Sequence, residues 1–431
     1  MKVITQPNRT TWGDLLKRPV FDLSELEGRV LPVLQAIRQR GDEALREFTQ
    51  KFDQVEIDSF LVSQEEISAA ANQLDDSLKA AIQTAKSNIE AFHRAQKEEF
   101  EPVETTPGVR CWRKSVPIQK VGLYIPGGTA PLFSTVLMLA VPAQVAGCQD
   151  IVLCSPPTTN GSIHPAILYA ANLCGVTQIF KAGGGQAIAA MAYGTETIPQ
   201  VSKIFGPGNQ YVTLAKQLVS KEGVAIDLPA GPSEVAVMAD ASANPAFIAA
   251  DLLSQAEHGV DSQVLLVSTD EEMIARVQAA LADQLARLPR MEIAAQALEN
   301  STAVFVKQES DMVDLINAYA PEHLIISTEN CDELAGQITQ AGSVFLGAFT
   351  PESVGDYASG TNHTLPTNGY ATAYSGVSLD SFVKKITFQK LTPAGLRTLG
   401  PVVEIMAEAE ELVAHKEAVS IRLKTLNSDE S

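Results

Sequence analysis

Two Rossmann-like but incomplete α/β lobes, with a helical N-terminal region and an extended C-terminal tail, are what this sequence predicts. Three observations carry that reading. Apolar runs end repeatedly in glycine or proline turns, as in "VGLYIPGG", "DIVLCSPP", "QIFKAGGG" and "KIFGPGN". Apolar helical stretches such as "APLFSTVLMLAVPAQVAG" and "QAIAAMAYG" follow them, which is the rhythm of a parallel sheet. Between Val121 and Phe180 the only Asp, Glu, Lys or Arg is Asp150, so this segment has to be covered on both faces.

Taken along the chain, residues 1–23 read as an N-terminal arm. From Ser24 to about Glu99 the sequence is rich in charge and helix formers; "LSELEGRVLPVLQAIRQRGDEALREFTQKFD" has helical spacing, with Gly41 as a stop. A second set of strands, "SEVAVMAD", "SQVLLVST", "TAVFVK", "EHLIIS" and "GSVFLGAF", alternates with helices from Asn244 to Phe349. The expected division is therefore a first α/β domain of 24–120 plus 234–373 and a second of 121–233 carrying the glycine turns. A tail of 374–431 follows, with a β-like segment "SFVKKITFQKLT" and one amphipathic helix over about Val402 to Lys424. Two lobes imply a cleft.

Bulk properties exclude several function classes. With 431 residues and 45% hydrophobic content the chain buries a large core, which rules out a disordered or fibrous protein. A formal charge of -19 repels nucleic acid and anionic lipid, so neither a nucleic-acid nor a membrane partner is expected. The stretch Val121–Gln149 is uncharged but interrupted by Pro126, Gly127, Gly128, Pro131 and Pro142, and reads as strand, loop and helix rather than a membrane span. Five cysteines in no C-x-x-C spacing, behind an N-terminus with no apolar secretory region, predict a reducing, cytoplasmic setting.

Only six histidines occur, so their placement is informative. In "YAPEHLIIS", Glu322 and His323 stand at the mouth of an apolar strand, where immobile chemistry is often placed. In "ADLLSQAEHGVDS", Asn244 and Pro245 provide an N-cap and first helical residue and Gly259 a C-cap. Gln255 and His258 then share a face of the last turn, able to grip one ion, unless His258 only meets the helix's terminal carbonyls. "GDYASGTNHTLPT" puts Asp356 and His363 in a polar loop; Asp and His suit zinc, although such residues are also common on solvated surfaces. His415 falls off the apolar stripe of Val402, Ile405, Met406, Ala409, Leu412 and Val413, so it is either solvated or reaching into another body. The turns "IPGG", "AGGGQ" and "FGPGN" let amides approach a pyrophosphate, but none has the G-x-G-x-x-G pattern. Cys148 and Cys154 flank a strand and read as core.

Together "VGLYIPGG", "FGPGNQYV", "DLPAGPSE", "LLSQAEHG", "PEHLII", "GSVFLG" and "GDYASGTNH" followed by "LPT" resemble the histidinol dehydrogenase family across nearly the whole chain. That family oxidises L-histidinol to L-histidine in two NAD-dependent steps at a zinc site, the last reactions of histidine biosynthesis. The resemblance implies zinc ligands Gln255, His258, Asp356 and His415, with Glu322 and His323 as the catalytic pair. It further implies substrate contacts at Ser233, His363 and Glu410 besides the ligands and Glu322, and NAD contacts at Tyr124, Gln186 and Asn209. Helical spacing alone favours Glu411 over Glu410, because Glu411 lies one turn from His415. Ala320 departs from the family, many of whose members have Gly there, and "GGGQ" carries an additional Gly. The family is a homodimer whose C-terminal segment crosses to the partner's site. Two other functions share some features: a thiol-dependent aldehyde dehydrogenase, which needs a reactive cysteine, and a two-lobed protein that binds a small ligand through its metal.

Overall fold

The computed structural model describes residues 1–18, 23–127, 130–229 and 231–428. Gly128 and Ala230, which belong to two of the quoted motifs, lie outside the described residues. Two compact units emerge, one of Met1–Gln96 with Ile118–Phe382, the other of Lys97–Pro117 with Val383–Ser431.

The larger unit holds two parallel sheets. One has five strands in the order Gln178–Lys181, Asp150–Ser155, Lys120–Tyr124, Lys203–Phe205, Ala225–Ile226. The other has six, in the order Lys2–Thr5, Thr302–Phe305, Gln263–Ser268, Glu234–Ala239, His323–Ser327, Ser343–Leu346. Every pairing in both is parallel. Strands such as "EVAVMA" and "QVLLVS" are buried at every position, which is why they read as unbroken apolar runs. The helix Phe133–Ala146 is buried almost all round, and this accounts for the uncharged stretch that contains it.

Two features differ from the expected division. The helices Leu23–Arg40, Asp42–Phe48, Gln64–Ala70 and Asp76–Arg94 pack their apolar faces into the clusters of the five-stranded sheet, not of the six-stranded one. Helical periodicity identifies an apolar face but not the surface that receives it. The N-terminal arm is also no appendage: Lys2–Thr5 pairs in register with Thr302–Phe305, and Trp12 joins a cluster with Met238, Val267 and Leu324.

The smaller unit forms around an antiparallel sheet in which Val383–Leu391 pairs along its whole length with Val109–Pro117, itself paired with Val103–Thr106. The single tail helix expected over 402–424 is two helices, Pro393–Ala409 and Val413–Ser428, broken where Glu411 adopts a left-handed φ of 60°. They cross closely at Gly400, where an added Cβ would meet Leu423 and Val419 side chains. The expected apolar stripe was therefore drawn through a break, and His415 belongs to the second helix.

Gly206, at the end of the strand Lys203–Phe205, has φ 128° and lies so close to the Tyr124 carbonyl that no Cβ fits. Gly206→Ala is expected to cost about 3 kcal/mol, seen as a lower urea midpoint of the larger unit with unchanged content of secondary structure.

Candidate active site

The six-stranded sheet reverses its strand order between Glu234–Ala239 and His323–Ser327, and the polar group collects there at the amino ends of the strands. His323 is the first residue of its strand and only 3% exposed; Glu322 precedes it at 7%. The preceding helix Glu309–Tyr319 ends in Ala320, held left-handed at φ 50°. That conformation is one glycine adopts without strain, so Ala320 carries a small backbone cost.

The backbone of Glu234 meets both members of the pair. Its N–H donates to Glu322 Oε2 at 2.8 Å, and its carbonyl lies 3.3 Å from His323 Nδ1. The Glu234 side chain, 2% exposed, is itself held by Arg18, whose Nη2 donates to Oε2 at 2.9 Å, and by the Asn368 N–H at 2.9 Å. Arg18 Nη2 also donates to the Tyr319 carbonyl at 2.6 Å, and the guanidinium lies 4.1 Å from the Tyr319 ring centroid. Arg18 and Glu234 were not singled out from the sequence. The signal available for Glu234 was a charged residue opening a wholly apolar strand; for Arg18 no local pattern exists.

Around the imidazole, Gln255 Nε2 lies 2.9 Å from Nδ1 and Asp356 Oδ1 lies 3.2 Å from Nε2. Set among carboxylates the ring is held protonated, donating from Nε2 to Asp356 and facing the Glu234 carbonyl with Nδ1, while the Gln255 amide packs against the same edge. Glu322 Oε2 stands 3.7 Å from Nδ1. His363 Nδ1 donates to the Asp356 carbonyl at 2.8 Å, and its Nε2 faces the Thr135 hydroxyl at 3.2 Å. Glu352, on the same short helix as Asp356, accepts from Ser254 Oγ at 2.8 Å and tethers it to the helix bearing Gln255.

The electrostatics follow from burial. Loss of water pushes Glu322 up to about 8 and Glu352 up to about 8. Burial alone would pull His323 down, but the surrounding Glu322, Asp356 and Glu352 carboxylates reverse this and carry it to about 10. Burial also works to raise Asp356, yet its hydrogen bond to His323 and the imidazole's charge hold it below the ordinary carboxylate range. The pocket has more carboxyl groups than cations and favours positive charge.

Other expected residues are placed as follows. His258 lies two residues beyond the helix Pro245–Ala256, which stops three residues before the expected C-cap Gly259; its N–H still closes a turn onto the Gln255 carbonyl at 3.2 Å, and the residue is exposed. It is nevertheless within electrostatic reach of Asp356, His323 and His363. Ser233 is half-buried beside Glu234. Tyr124 and Gln186 are buried at the carboxyl ends of the five-stranded sheet, where Tyr124 Oη meets the Gly184 N–H at 3.1 Å. Asn209 is exposed and caps the helix Gln210–Ser220 through Oδ1. Glu410 and His415 belong to the smaller unit and are exposed. Cys148, Cys154 and Cys174 are buried, and burial pushes the Cys148 thiol up to about 11 and Cys174 to about 12, which suits core packing and not a nucleophile.

Comparison with known proteins decides the family. The profile described as histidinol dehydrogenase matches residues 16–423. The chain belongs to the histidinol dehydrogenase family. It is 62% identical over 426 residues to the histidinol dehydrogenase of Bacteroides thetaiotaomicron, covering 99% of this chain and 100% of that one. Identity to the Escherichia coli histidinol dehydrogenase is 54%, over 96% of this chain and 95% of the relative. The crystal structure of histidinol dehydrogenase from Elizabethkingia anophelis superposes with a TM-score of 0.97 at 57% identity, covering 99% of each chain. This protein is thus an oxidoreductase of histidine biosynthesis. Among the described residues no helix is long and apolar enough to cross a membrane.

Zinc fits the donors only in part within one chain. Among the described residues no three His, Cys, Asp or Glu side chains are grouped to hold an ion. Gln255, His258 and Asp356 would supply an amide oxygen, an imidazole and a carboxylate, a donor set of the kind zinc accepts, beside a pocket richer in carboxyl groups than in cations.

Arg18→Met would strand the Glu234 carboxylate in the core. We expect it to lose about 3–5 kcal/mol, with Glu234→Gln in the same chain recovering most of the loss in a thermal unfolding series. If the double variant is no more stable than Arg18→Met alone, the pair is not what holds the Glu234 peptide.

Proposed function

We propose that the protein oxidises L-histidinol to L-histidine through L-histidinal, passing two hydrides in succession to two molecules of NAD. The observation that carries this reading is the His323 ring set between Gln255 and Asp356, with the buried Glu322 carboxyl beside it. That is one base with an acid group adjacent and metal-type donors around it.

In the first step the substrate's carbinol C–H leaves as hydride and its O–H proton passes to His323. In the second, Glu322 takes a proton from water as it adds to the aldehyde, and the hydrate gives a hydride to the second NAD and a proton again to His323. A buried Glu322 whose pKa is raised to about 8 is matched to accepting that proton. Its Oε2 is fixed by the Glu234 N–H, so the aldehyde is met by a group already in position. Ser233 and His363 flank this pair and would contact the substrate, His363 through a ring held by Thr135 and the Asp356 carbonyl.

Gln255, His258 and Asp356 would hold a zinc ion, which when bound would supply an electrophilic anchor for the substrate's nitrogens. The fourth donor in this reading is His415 from a second copy of the chain, with Glu410 as a further substrate contact. Exposure of His415, together with the exposed Val402, Ile405, Met406, Val413 and Ile421, supports a tail built to meet another body in a homodimer. Tyr124, Gln186 and Asn209 would contact NAD: Tyr124 and Gln186 sit at the carboxyl ends of the five-stranded sheet, where open α/β sheets receive nucleotides, and Asn209 follows its strand Lys203–Phe205. Free cysteines and biosynthetic membership support a cytoplasmic setting.

Counting NADH formed per histidinol consumed tests the whole scheme. Two per substrate, abolished by a chelator and restored by zinc, is expected; one, with aldehyde accumulating, would remove the second step. Glu322→Gln should lower the histidinal half-reaction by about 10²–10⁴-fold while largely sparing alcohol oxidation, and His323→Asn should suppress both. Mixing inactive His415→Asn and Asp356→Asn chains should restore partial activity, since some mixed dimers regain one intact site; no recovery at any ratio would place His415 in its own subunit's site or in none.

A further inference from the structure

Beside the expected NAD contacts lies a carboxylate that neither the sequence reading nor the scheme above uses. Asp53 ends the short helical segment Thr49–Asp53, and Gln54, left-handed at φ 59°, turns the chain away behind it. Its Oδ2 accepts from Gln186 Nε2 at 3.3 Å. A Cβ placed on Gly183 would lie 3.3 Å from Oδ1, so the carboxylate rests against the glycine turn that opens the helix Gly184–Tyr193. Tyr124 Oη meets the Gly184 N–H of the same turn. Asp53, Gln186 and Tyr124 thus converge on one turn although they come from three separate segments.

The position is costly for the protein. Asp53 is half-buried, and among the described residues it has no ion-pair partner and no hydrogen bond besides that from Gln186. Burial accordingly pushes it up to about 6. A structural carboxylate is ordinarily paired or fully hydrated. A negative group next to a helix N-terminus also works against binding pyrophosphate on it. In a dinucleotide site the place of such a group is therefore beside a part of the ligand that is uncharged and rich in donors.

We propose that Asp53 accepts hydrogen bonds from the adenosine ribose hydroxyls of NAD and, by charge and by occupied space, rejects a ribose bearing a 2′-phosphate. Asp53 is then the residue that sets cofactor choice. The inference rests on the reading of Tyr124 and Gln186 as dinucleotide contacts. It is separable from that reading, because it concerns which end of the dinucleotide is touched and which cofactor is refused.

The test compares wild type, Asp53→Asn and Asp53→Ser by calorimetric binding of ADP-ribose and of 2′-phospho-ADP-ribose, neither of which carries nicotinamide. Steady-state kcat/KM with NAD and NADP is measured in parallel. Expected are a loss of about tenfold or more in ADP-ribose affinity for both variants and a rise of at least about tenfold in the NADP to NAD ratio of kcat/KM. Melting temperature and histidinol binding serve as folding controls, and Asp53→Ser stands in should the Asn variant melt early. Unchanged ADP-ribose affinity with weakened NAD binding would put the carboxylate at the nicotinamide end and overturn the proposal. Unchanged selectivity in folded variants would do the same. If wild type binds neither probe and reduces no NAD, it is the dinucleotide reading itself that fails.

Discussion

The backbone of one residue organises the candidate site. Glu234 offers its N–H to Glu322 and its carbonyl to the His323 ring, so these two side chains are indexed to a single strand junction at the reversal point of the six-stranded sheet. Keeping that backbone in place requires the Glu234 side chain to stay buried, and a buried carboxylate is tolerated only because Arg18 meets it with a charged fork. The N-terminal arm is thereby part of the site. Its strand Lys2–Thr5 and Trp12 hold the arm to the sheet, and Arg18 carries that attachment inward.

The two sheets use opposite ends. Tyr124, Gln186 and the Gly183–Gly184 turn lie at carboxyl ends of strands, the usual receiving edge of a doubly wound sheet. Glu322, His323 and Glu234 lie at amino ends of theirs. The helix Phe133–Ala146 joins the two regions, since Thr135 near its start reaches the ring of His363. Under the proposed reaction, one edge would receive the dinucleotide and the other the substrate, and within the larger unit each sheet provides one.

Much of this was legible because fully buried parallel strands write themselves as uninterrupted apolar runs, and the strands of both sheets were found that way apart from Lys2–Thr5 and the two-residue Ala225–Ile226. Lys2–Thr5 was missed: it is short and mostly exposed, so nothing distinguished "KVIT" from a frayed end. The Glu322 and His323 pair was visible by its polarity at a strand mouth. The helix bearing Gln255 was drawn up to Gly259 but ends at Ala256, with His258 closing one further turn onto the Gln255 carbonyl, because "QAEHG" has no breaker before Gly259 and local propensity continues the helix. For the same reason the tail was drawn as one helix: "AEAEELVA" consists of good helix formers, and the break at Glu411 comes with the packing of one helix back upon the other at Gly400. The Arg18–Glu234 pair joins residues far apart in sequence and could be found only in three dimensions.

The smaller unit is assembled from two stretches, and this orders events during synthesis. Strand Val109–Pro117 leaves the ribosome early, yet its full-length partner Val383–Leu391 follows only after the whole segment Ile118–Phe382 has been made. Until then Val109–Pro117 has Val103–Thr106 on one edge and nothing on the other. Pairings of such wide sequence separation form late and slowly, and an unfilled strand edge is a template for the wrong chain. Lys114 and Arg110 along that strand keep it charged while it waits. The larger unit, with both sheets complete in Met1–Leu346, has everything it needs to close first, and the smaller one is left to finish at the end of translation.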